Sequence, residues 1–316
     1  MTDIHFERVA IIGLGLLGAS LAHAIDAYGG AASVSLHDAD PDVRSRAREL
    51  LKGTVYDTIS ACVEEADCVV LCVPVGAFES CVKDMAADLT PGCVLTDVGS
   101  VKAKAAEDMA RHCPDSVHLI PGHPIAGTEN SGPEAGFADL FRGAWHILTP
   151  EDTDAPEYLT AVAKLEAFWE RLGAQVETMS PTRHDRVLAI TSHLPHLIAY
   201  NIVSTAYDME TVEEGEVVKF SAGGFRDFTR IAASDPTMWR DVFLTNRDAV
   251  LETLGRFSED LAALQRAIRW NDGDMLFEQF SRARGIRRAI IDAGLDTAEA
   301  DFGRRSGTPT KLPKED

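Results

Sequence analysis

The stretch that decides the fold is RVAIIGLGLLGASLAHAI, at residues 8–25. Residues 9–12 are apolar and mostly β-branched, which predicts a short strand, and residues 20–27 have the pattern of a helix. Three glycines in G-x-G-x-x-G spacing lie between them: Gly13, Gly15 and Gly18. The next strand, SVSLHD, ends in Asp38, twenty residues after Gly18. This order of strand, glycine turn, helix, strand and acid predicts a dinucleotide-binding unit.

Each glycine of this motif has a separate geometric role. Gly13 permits a tight turn, Gly15 lets the backbone approach a pyrophosphate, and Gly18 lets the helix pack closely on the strand. The helix then presents its first N–H groups to the phosphates. The alternative is a glycine-rich turn that binds nothing, and the aligned strand, helix and acid argue against it.

The acid at the end of the second strand predicts the cofactor. Asp38 would accept hydrogen bonds from the ribose hydroxyls of NAD and would repel the additional phosphate of NADP. Because no basic residue directly follows Asp38, NAD is favoured. Leu16, inside the glycine motif, and Pro74, at the end of the strand DCVVLCVP, complete the predicted cofactor-binding set.

Composition describes a soluble globular chain. Its 316 residues are 45% hydrophobic and 25% charged, with a net charge of −20. That charge argues against nucleic acid or an anionic membrane as a partner, and no apolar run approaches the ~20 residues of a membrane span. The six cysteines form no C-x-x-C pair, which favours a reduced, cytoplasmic setting. A signal peptide at residues 8–25 is disfavoured, because the preceding MTDIHFER carries as much acid as base.

The chain divides into two predicted domains. Residues 1–178 alternate strands and helices, which predicts a Rossmann-type α/β domain with a mostly parallel sheet. Residues 179–302 show helical spacing throughout and predict an all-α domain, beginning with Ser180 as a cap and Pro181 in the first turn. Its helices are long for the core they could form alone, so we expect them to pack on a second copy in a homodimer. Residues 303–316 are polar, with Gly and Pro, and we expect disorder there.

Two polar residues lie where strands of the first domain end. Ser100, in DVGSVK, falls at a strand-to-helix turn, where a serine can also be only a helix cap. His123, in PGHPIAG, is predicted to lie in a loop between Gly122 and Pro124. A loop histidine is usually solvated, but ligands bind beyond the carboxyl ends of parallel strands.

Two further features lie in the helical domain. SHLPH places His193 and His196 one helical turn apart, and Pro195 between them predicts a kink. A metal site is disfavoured, because H-E-x-x-H is absent and no third ligand is evident. GGFRDFTRIA places Arg226, Asp227 and Arg230 among bulky apolar side chains. A buried guanidinium needs an anion, which could be Asp227 or a molecule that arrives from outside.

Together these motifs resemble one family. GLGLLGAS, TDVGSVK, GHPIAGTENSG, SHLPH and GGFRDFTRIAASDPTMW are similar, in order, to the motifs of the TyrA family, the prephenate/arogenate (cyclohexadienyl) dehydrogenases. The resemblance covers about residues 8–300. It implies an NAD-dependent enzyme of tyrosine biosynthesis that oxidises and decarboxylates a carboxylated cyclohexadienol.

The resemblance also implies roles for individual residues. His123 would take the proton of the substrate hydroxyl as hydride leaves, and Ser100 would help to orient both groups. Three further residues would contact the substrate. Arg230 would bind a substrate carboxylate, and His196 would contact the acidic side chain of the substrate. Trp239 would reach the site, and in relatives it comes from the partner subunit. Asp227 would then steady Arg226 or Arg230 before substrate binds.

Two other readings stay open at this point. 3-Hydroxyisobutyrate-type dehydrogenases share the predicted architecture, but they usually use a lysine in the first long helix of the second domain, and residues 180–208 contain none. A non-catalytic NAD-binding sensor would be expected to have lost the polar residues that are present here. The sequence does not separate prephenate from arogenate, and dual specificity is open.

Overall fold

The structure, a computed structural model, describes residues 4–128, 130–210 and 223–292. The predicted disordered tail, 303–316, lies outside the described residues. The strands are β1 Ile4–Ile12, β2 Gly30–His37, β3 Thr54–Val55, β4 Cys68–Leu71, β5 Val94–Asp97, β6 His118–Leu119, β7 Gly122–Pro124, β8 Trp145–Leu148 and β9 Gln175–Thr178. The described α-helices are α1 Leu16–Tyr28, α2 Pro41–Leu50, α3 Ile59–Val63, α4 Phe78–Met85, α5 Ala103–Ala110, α6 Pro156–Arg171, α7 Pro181–Leu188, α8 Leu194–Glu210, α9 Gly223–Thr229, α10 Pro236–Thr245, α11 Arg247–Arg269 and α12 Gly273–Asp292.

Six parallel strands form the main sheet, in the order β3-β2-β1-β4-β5-β6. Val9 of the central strand β1 lies beside Val34 of β2 and Cys68 of β4. All four residues of β4 are buried, as expected for an inner strand covered on both faces. The predicted Rossmann-type sheet is confirmed, and its carboxyl edge carries Asp38, Pro74 and Ser100.

The glycine turn after β1 is as tight as the motif predicts. Gly13 has φ +96°, in the region that favours glycine, and a Cβ there would lie 2.6 Å from the carbonyl oxygen of Cys72. A Cβ on Gly18 would lie 1.9 Å from the carbonyl oxygen of Gly13. Gly15 caps helix α1, and a Cβ there would have no neighbour within 4 Å. Gly13 and Gly18 are therefore required by packing, whereas the space at Gly15 is open.

A second sheet, of three strands, was not predicted. Strand β7 pairs antiparallel with β8, and β8 pairs parallel with β9. His123 lies in β7 opposite Ile147, so its predicted position in a loop is wrong. The three-residue strand escapes recognition because its pairing partner lies more than twenty residues further along the chain, and the segment itself has no alternating pattern.

The helical region begins as predicted. The hydroxyl of Ser180 accepts a hydrogen bond from the backbone N–H of Arg183 at 3.3 Å, and Pro181 follows in the first turn. Before Pro195 the helix widens into a π-helical turn, Ala189–His193. Proline lacks a backbone N–H and its ring crowds the preceding turn, so the wider turn is the expected adjustment. The sequence predicted a kink or break at Pro195, and the structure has this π-helical turn just before it.

Two compact units divide the chain at residue 250. The first, residues 1–250, contains both sheets and the helices as far as Thr245. The second, residues 251–316, has as its described part the rest of the helix Arg247–Arg269 and the helix Gly273–Asp292. This division lies later than the boundary at 178/179 expected from sequence, because residues 181–245 pack with the first unit.

One helical stretch, Pro181–Met209, is long and apolar enough to cross a membrane by length and composition alone. No stretch of this kind was predicted from the sequence. A single helix of this kind is weak evidence, since core helices of soluble proteins meet the same criterion. Here the stretch carries the buried polar side chains of His184 and Asp185.

The glycine turn gives the first testable prediction. Gly18→Ala should lower the free energy of unfolding by about 3 kcal/mol or more, because the added methyl group overlaps a backbone oxygen. Gly15→Ala is the comparison variant: its Cβ has room, so it should cost only about 1 kcal/mol or less, the preference for glycine over alanine at a helix N-cap. Urea denaturation of both variants measures the difference, and equal stabilities would contradict the packing role of Gly18.

Candidate active site

His123 lies at the centre of a buried chain of hydrogen bonds. It is 9% exposed, and its Nδ1 lies 2.8 Å from Nε2 of His184. Nδ1 of His184 lies 2.8 Å from Oδ1 of Asp185. Sequence reasoning missed both His184 and Asp185. The available signal was their position on the same face of a helix as Leu188, where a polar pair replaces core residues.

Asp185 is itself held by the backbone of the first domain. Its Oδ1 accepts the N–H of Lys102 at 2.8 Å, and its Oδ2 accepts the N–H of Ala103 at 2.9 Å. These N–H groups open the helix Ala103–Ala110, where a negative charge is favoured. A carboxylate from the helical region thus fixes the residues that follow Ser100.

A buried ion pair links the end of strand β5 to strand β7. Nζ of Lys102 bonds to Oδ2 of Asp97, and both side chains are fully buried. Nζ also donates to the carbonyl oxygen of Gly122 at 2.6 Å, while Asp97 accepts the Gly122 N–H at 3.2 Å. Burial raises the pKa of Asp97 and lowers the pKa of Lys102, and their mutual attraction opposes both shifts. The pair therefore anchors the peptide that precedes His123.

Burial keeps these histidines neutral. The pKa of His123 is well below its ordinary value because of burial, with His184 and Lys102 adding to the effect. Burial also lowers the pKa of His184, although the hydrogen bond to Asp185 opposes this shift. A neutral imidazole near pH 7 is able to accept a proton.

A second cluster lies along the helix after the π-helical turn. Nδ1 of His196 lies 2.9 Å from the carbonyl oxygen of Ser192, and its ring stacks on Trp239 with centroids 3.7 Å apart. Burial lowers the pKa of His196, and the positive charge of Arg230 contributes to the shift. The structure therefore brings together three residues that the sequence assigned to substrate. Trp239 here stacks on His196 of its own chain.

His193 points to a different neighbour. It is fully buried, and its Nδ1 lies 3.1 Å from Nδ2 of Asn246, which also donates to the backbone oxygen of Asp185 at 2.9 Å. Burial lowers the pKa of His193 to about 4. Asn246 was not predicted, and it ties this histidine to the peptide of Asp185.

Two of the predicted site residues, Ser100 and Asp227, lie outside this chain of hydrogen bonds. Within the described residues no hydrogen bond joins Ser100 to His123, whose Nδ1 is paired with His184; a contact of Ser100 with the substrate hydroxyl stays a prediction. Asp227 is half-buried, and its expected contact with Arg226 or Arg230 stays a prediction. Arg226 is exposed, whereas Arg230 is half-buried at the start of a 3-10 turn, Arg230–Ala233.

The predicted cofactor residues lie at the carboxyl edge of the main sheet. Oδ2 of Asp38 accepts the N–H of Leu14 at 2.8 Å, and Oδ1 accepts the N–H of Asp40 at 2.9 Å. Arg44 donates to the carbonyl oxygen of Asp38 at 2.8 Å and to that of Ala39 at 3.0 Å. With open space at Gly15 beside them, these residues fit a dinucleotide whose ribose lies near Asp38.

Comparison with known proteins identifies the family. Residues 21–178 match the nucleotide-binding domain of prephenate dehydrogenase, and residues 180–282 match its dimerisation domain. The chain belongs to the prephenate dehydrogenase family. The family resemblance, the fold class, the dehydrogenase activity and the NAD cofactor inferred from the motifs are therefore confirmed.

Individual relatives of this family are similar over most of their length. The cyclohexadienyl dehydrogenase of Zymomonas mobilis is 44% identical over 90% of this chain and 96% of that protein. The prephenate dehydrogenase of Bacillus subtilis is 31% identical over 90% of this chain and 76% of its own.

Solved structures agree with this assignment. The Aquifex aeolicus prephenate dehydrogenase in complex with hydroxyphenyl propionate and NAD+ superposes with a TM-score of 0.81 and 34% identity, covering 90% of this chain and 98% of that one. A 3-hydroxyisobutyrate dehydrogenase from Mycobacterium tuberculosis, at 16% identity and a TM-score of 0.52 over 83% of this chain and 94% of its own, shares the fold alone.

The buried ion pair gives a second prediction. Lys102→Met should lower the free energy of unfolding by about 3–5 kcal/mol, because it leaves the buried carboxylate of Asp97 without its partner. The double variant with Asp97→Asn should recover part of this loss, since it removes the unpaired charge. Denaturation by urea compares the three proteins. A single variant as stable as the unmodified protein would show that the pair does not anchor the site.

Proposed function

We propose that this enzyme oxidises and decarboxylates prephenate, arogenate or both, with NAD as hydride acceptor. The observation that carries the proposal is the buried, neutral His123 at the carboxyl edge of a dinucleotide-binding sheet, in a chain of the prephenate dehydrogenase family. The Aquifex relative binds hydroxyphenyl propionate, a phenol with a carboxylated side chain. Such a phenol is the class of molecule that this reaction releases.

The oxidation step needs a proton acceptor beside the ring hydroxyl. Hydride leaves the carbon that bears the hydroxyl, the hydroxyl proton goes to Nε2 of His123, and a carbonyl forms. The bond to the ring carboxylate then breaks, carbon dioxide departs, and its electron pair makes the ring aromatic with a phenolate oxygen. His123 returns the proton to that oxygen. No net proton leaves the site, so the base can be buried.

Substrate charge supports the roles of the second cluster. Prephenate carries two carboxylates and must enter a protein with a net charge of −20, so fixed cationic donors are needed. A guanidinium presents a planar pair of donors that matches a carboxylate. We assign a carboxylate to Arg230 and the substrate side chain to His196 and Trp239, whose rings are already stacked. Asp227 and Ser100 remain candidate contacts to substrate.

The nucleotide half supports NAD over NADP. The carboxylate of Asp38 is held by two backbone N–H groups at the end of β2. In that position it would accept the ribose hydroxyls and repel a 2′-phosphate. The guanidinium of Arg44 is engaged with backbone carbonyls and with Asp57, which limits its use as a phosphate ligand. Gly13, Gly15, Leu16, Gly18 and Pro74 would complete the cofactor contacts.

A homodimer accounts for the apolar side chains that the described helices expose. The family domain at residues 180–282 is a dimerisation domain, and large exposed apolar patches usually mark interfaces. These side chains include Val187, Ile190, Ile202, Val203, Tyr207, Met209, Leu251, Leu261, Ile268, Phe277, Phe280 and Ile286. The six free cysteines support a reducing, cytoplasmic setting.

An activity assay tests the central assignment. The enzyme should form NADH with prephenate, with arogenate or with both, and His123→Asn should lower kcat by about 10²–10⁴-fold because the proton acceptor is lost. The KM for substrate should change little. Stopped assays should detect one carbon dioxide per NADH. If His123→Asn kept its kcat, another residue would be the base.

The pH profile of the unmodified enzyme checks the same group. Because burial holds the pKa of His123 well below 6.5, its neutral, proton-accepting form persists as the pH falls from 8 to about 6.5. The contribution of His123 to kcat should therefore stay constant over this range. A loss of kcat that follows an ionisation near pH 7 would assign the limiting proton transfer to a different group.

Arginine variants test substrate binding. Arg230→Ala should raise the KM for prephenate roughly 10- to 100-fold, since a hydrogen bond to a charged group contributes about 1.5–3 kcal/mol. Arg226→Ala, one helical turn away and exposed, is the matched control and should change KM by less than about threefold. Steady-state kinetics at saturating NAD measures both. Equal effects of the two substitutions would remove Arg230 from the site.

A further inference from the structure

We propose that His184 and Asp185 are positioning residues that fix which nitrogen of His123 accepts the substrate proton. The inference rests on the proposed function, because it concerns the same base. It explains why a polar pair occupies core positions of a helix, where apolar side chains would otherwise pack. His184 is 0% exposed and Asp185 is 5% exposed.

Asp185 is the end of the chain of hydrogen bonds. A carboxylate only accepts hydrogen bonds, and its Oδ1 lies 2.8 Å from Nδ1 of His184. Nδ1 of His184 must therefore carry the hydrogen. A neutral imidazole has one N–H, so Nε2 of His184 carries the lone pair and accepts.

The tautomer of His184 in turn fixes the tautomer of His123. Its Nδ1 lies 2.8 Å from Nε2 of His184, so Nδ1 of His123 must donate the hydrogen. Nε2 of His123 is then the lone pair, and it is the nitrogen that the alcohol needs. The opposite tautomer would present an N–H to the hydroxyl and could not accept its proton.

The result depends on a neutral His184. If His184 were charged, its Nε2–H would donate to Nδ1 of His123 and force the hydrogen of His123 onto Nε2. Burial and the positive charge of Lys102 lower the pKa of His184, while Asp185 and Asp97 oppose the shift. His123 is further influenced by His146 and His193, which disfavour an additional charge in the cluster. Lys102 thus has an electrostatic role besides its bond to Gly122.

Asp185 cannot readily turn to another arrangement. Its two oxygens accept the N–H groups of Lys102 and Ala103, and the backbone oxygen of the same residue accepts Nδ2 of Asn246 at 2.9 Å. In Ser-His-Asp hydrolases a buried aspartate holds the tautomer of one histidine, and its loss costs about 10⁴-fold in kcat. Here Asp185 sets the tautomer of the base indirectly, through the imidazole of His184. Because His123 returns its proton to the substrate oxygen, the pair positions the base and need not carry the proton away.

Nitrogen-15 NMR of histidine-labelled enzyme tests the inference without any catalytic turnover. At about pH 7.5, two-bond proton–nitrogen correlations should show both His123 and His184 protonated at Nδ1 only. The variants His123→Asn and His184→Gln assign the two signals. A hydrogen on Nε2 of His123, or a doubly protonated His184, would overturn the proposal.

Kinetics of His184→Gln supply the second readout. The kcat should fall by about 10²-fold or more, with the KM for substrate and the Kd for NAD nearly unchanged, and the signal of His123 should move toward the Nε2–H form. His146→Phe removes another buried imidazole, one without hydrogen bonds in the described residues, and should leave the tautomer of His123 as it is. A His184→Gln enzyme with unchanged kcat would also refute the positioning role.

The two proposals fail in distinguishable ways. If the unmodified enzyme forms no NADH with prephenate or arogenate but shows the expected tautomers, the proposed substrate is wrong and the hydrogen-bond chain stands. If it forms NADH while His123 carries its hydrogen on Nε2, the substrate assignment stands and this inference is wrong.

Discussion

The carboxylate of Asp185 is the contact on which the arrangement of the site depends. It accepts two backbone N–H groups of the first domain, 83 and 82 residues away in sequence, and on its other side it holds His184. A single side chain therefore sets the start of the helix Ala103–Ala110 and the orientation of the proposed base. The buried ion pair of Lys102 and Asp97 stabilises the same region of the site. The desolvation cost of burying Asp185, His184, Lys102 and Asp97 is offset because each of these four has a hydrogen-bond partner.

The nucleotide half could be predicted from sequence because its signals are local. Gly13, Gly15, Gly18 and Asp38 lie within twenty-six residues, and each has a role that backbone geometry alone dictates. The cap at Ser180 and the irregularity before Pro195 are local in the same sense, since each depends on its immediate neighbours. Those elements appear in the structure where the sequence placed them.

The chain that orients His123 could not be predicted in this way. Its hydrogen bonds join residues 61 and 83 positions apart, and no spacing rule relates them. The motif pointed to Ser100 as an orienting group, which stays a prediction, but it gave no sign that His184 holds Nδ1 of His123. His123 itself was expected in a loop, because a three-residue strand that pairs with a distant partner leaves no periodic signal.

The π-helical turn before Pro195 lets one helical stretch place side chains in both clusters of the site. Each residue of an α-helix turns the chain by about 100°, so the one additional residue in the wide turn rotates everything downstream relative to what came before. His184 and Asp185 point into the protein ahead of this rotation, and His196 meets Trp239 after it. Deleting one residue from the turn would restore a regular spiral and swing His196 by roughly a quarter of a circle off the indole. The additional residue therefore sets the angle between the two clusters. The number of residues in this turn is constrained for that reason, as the side chains near it are.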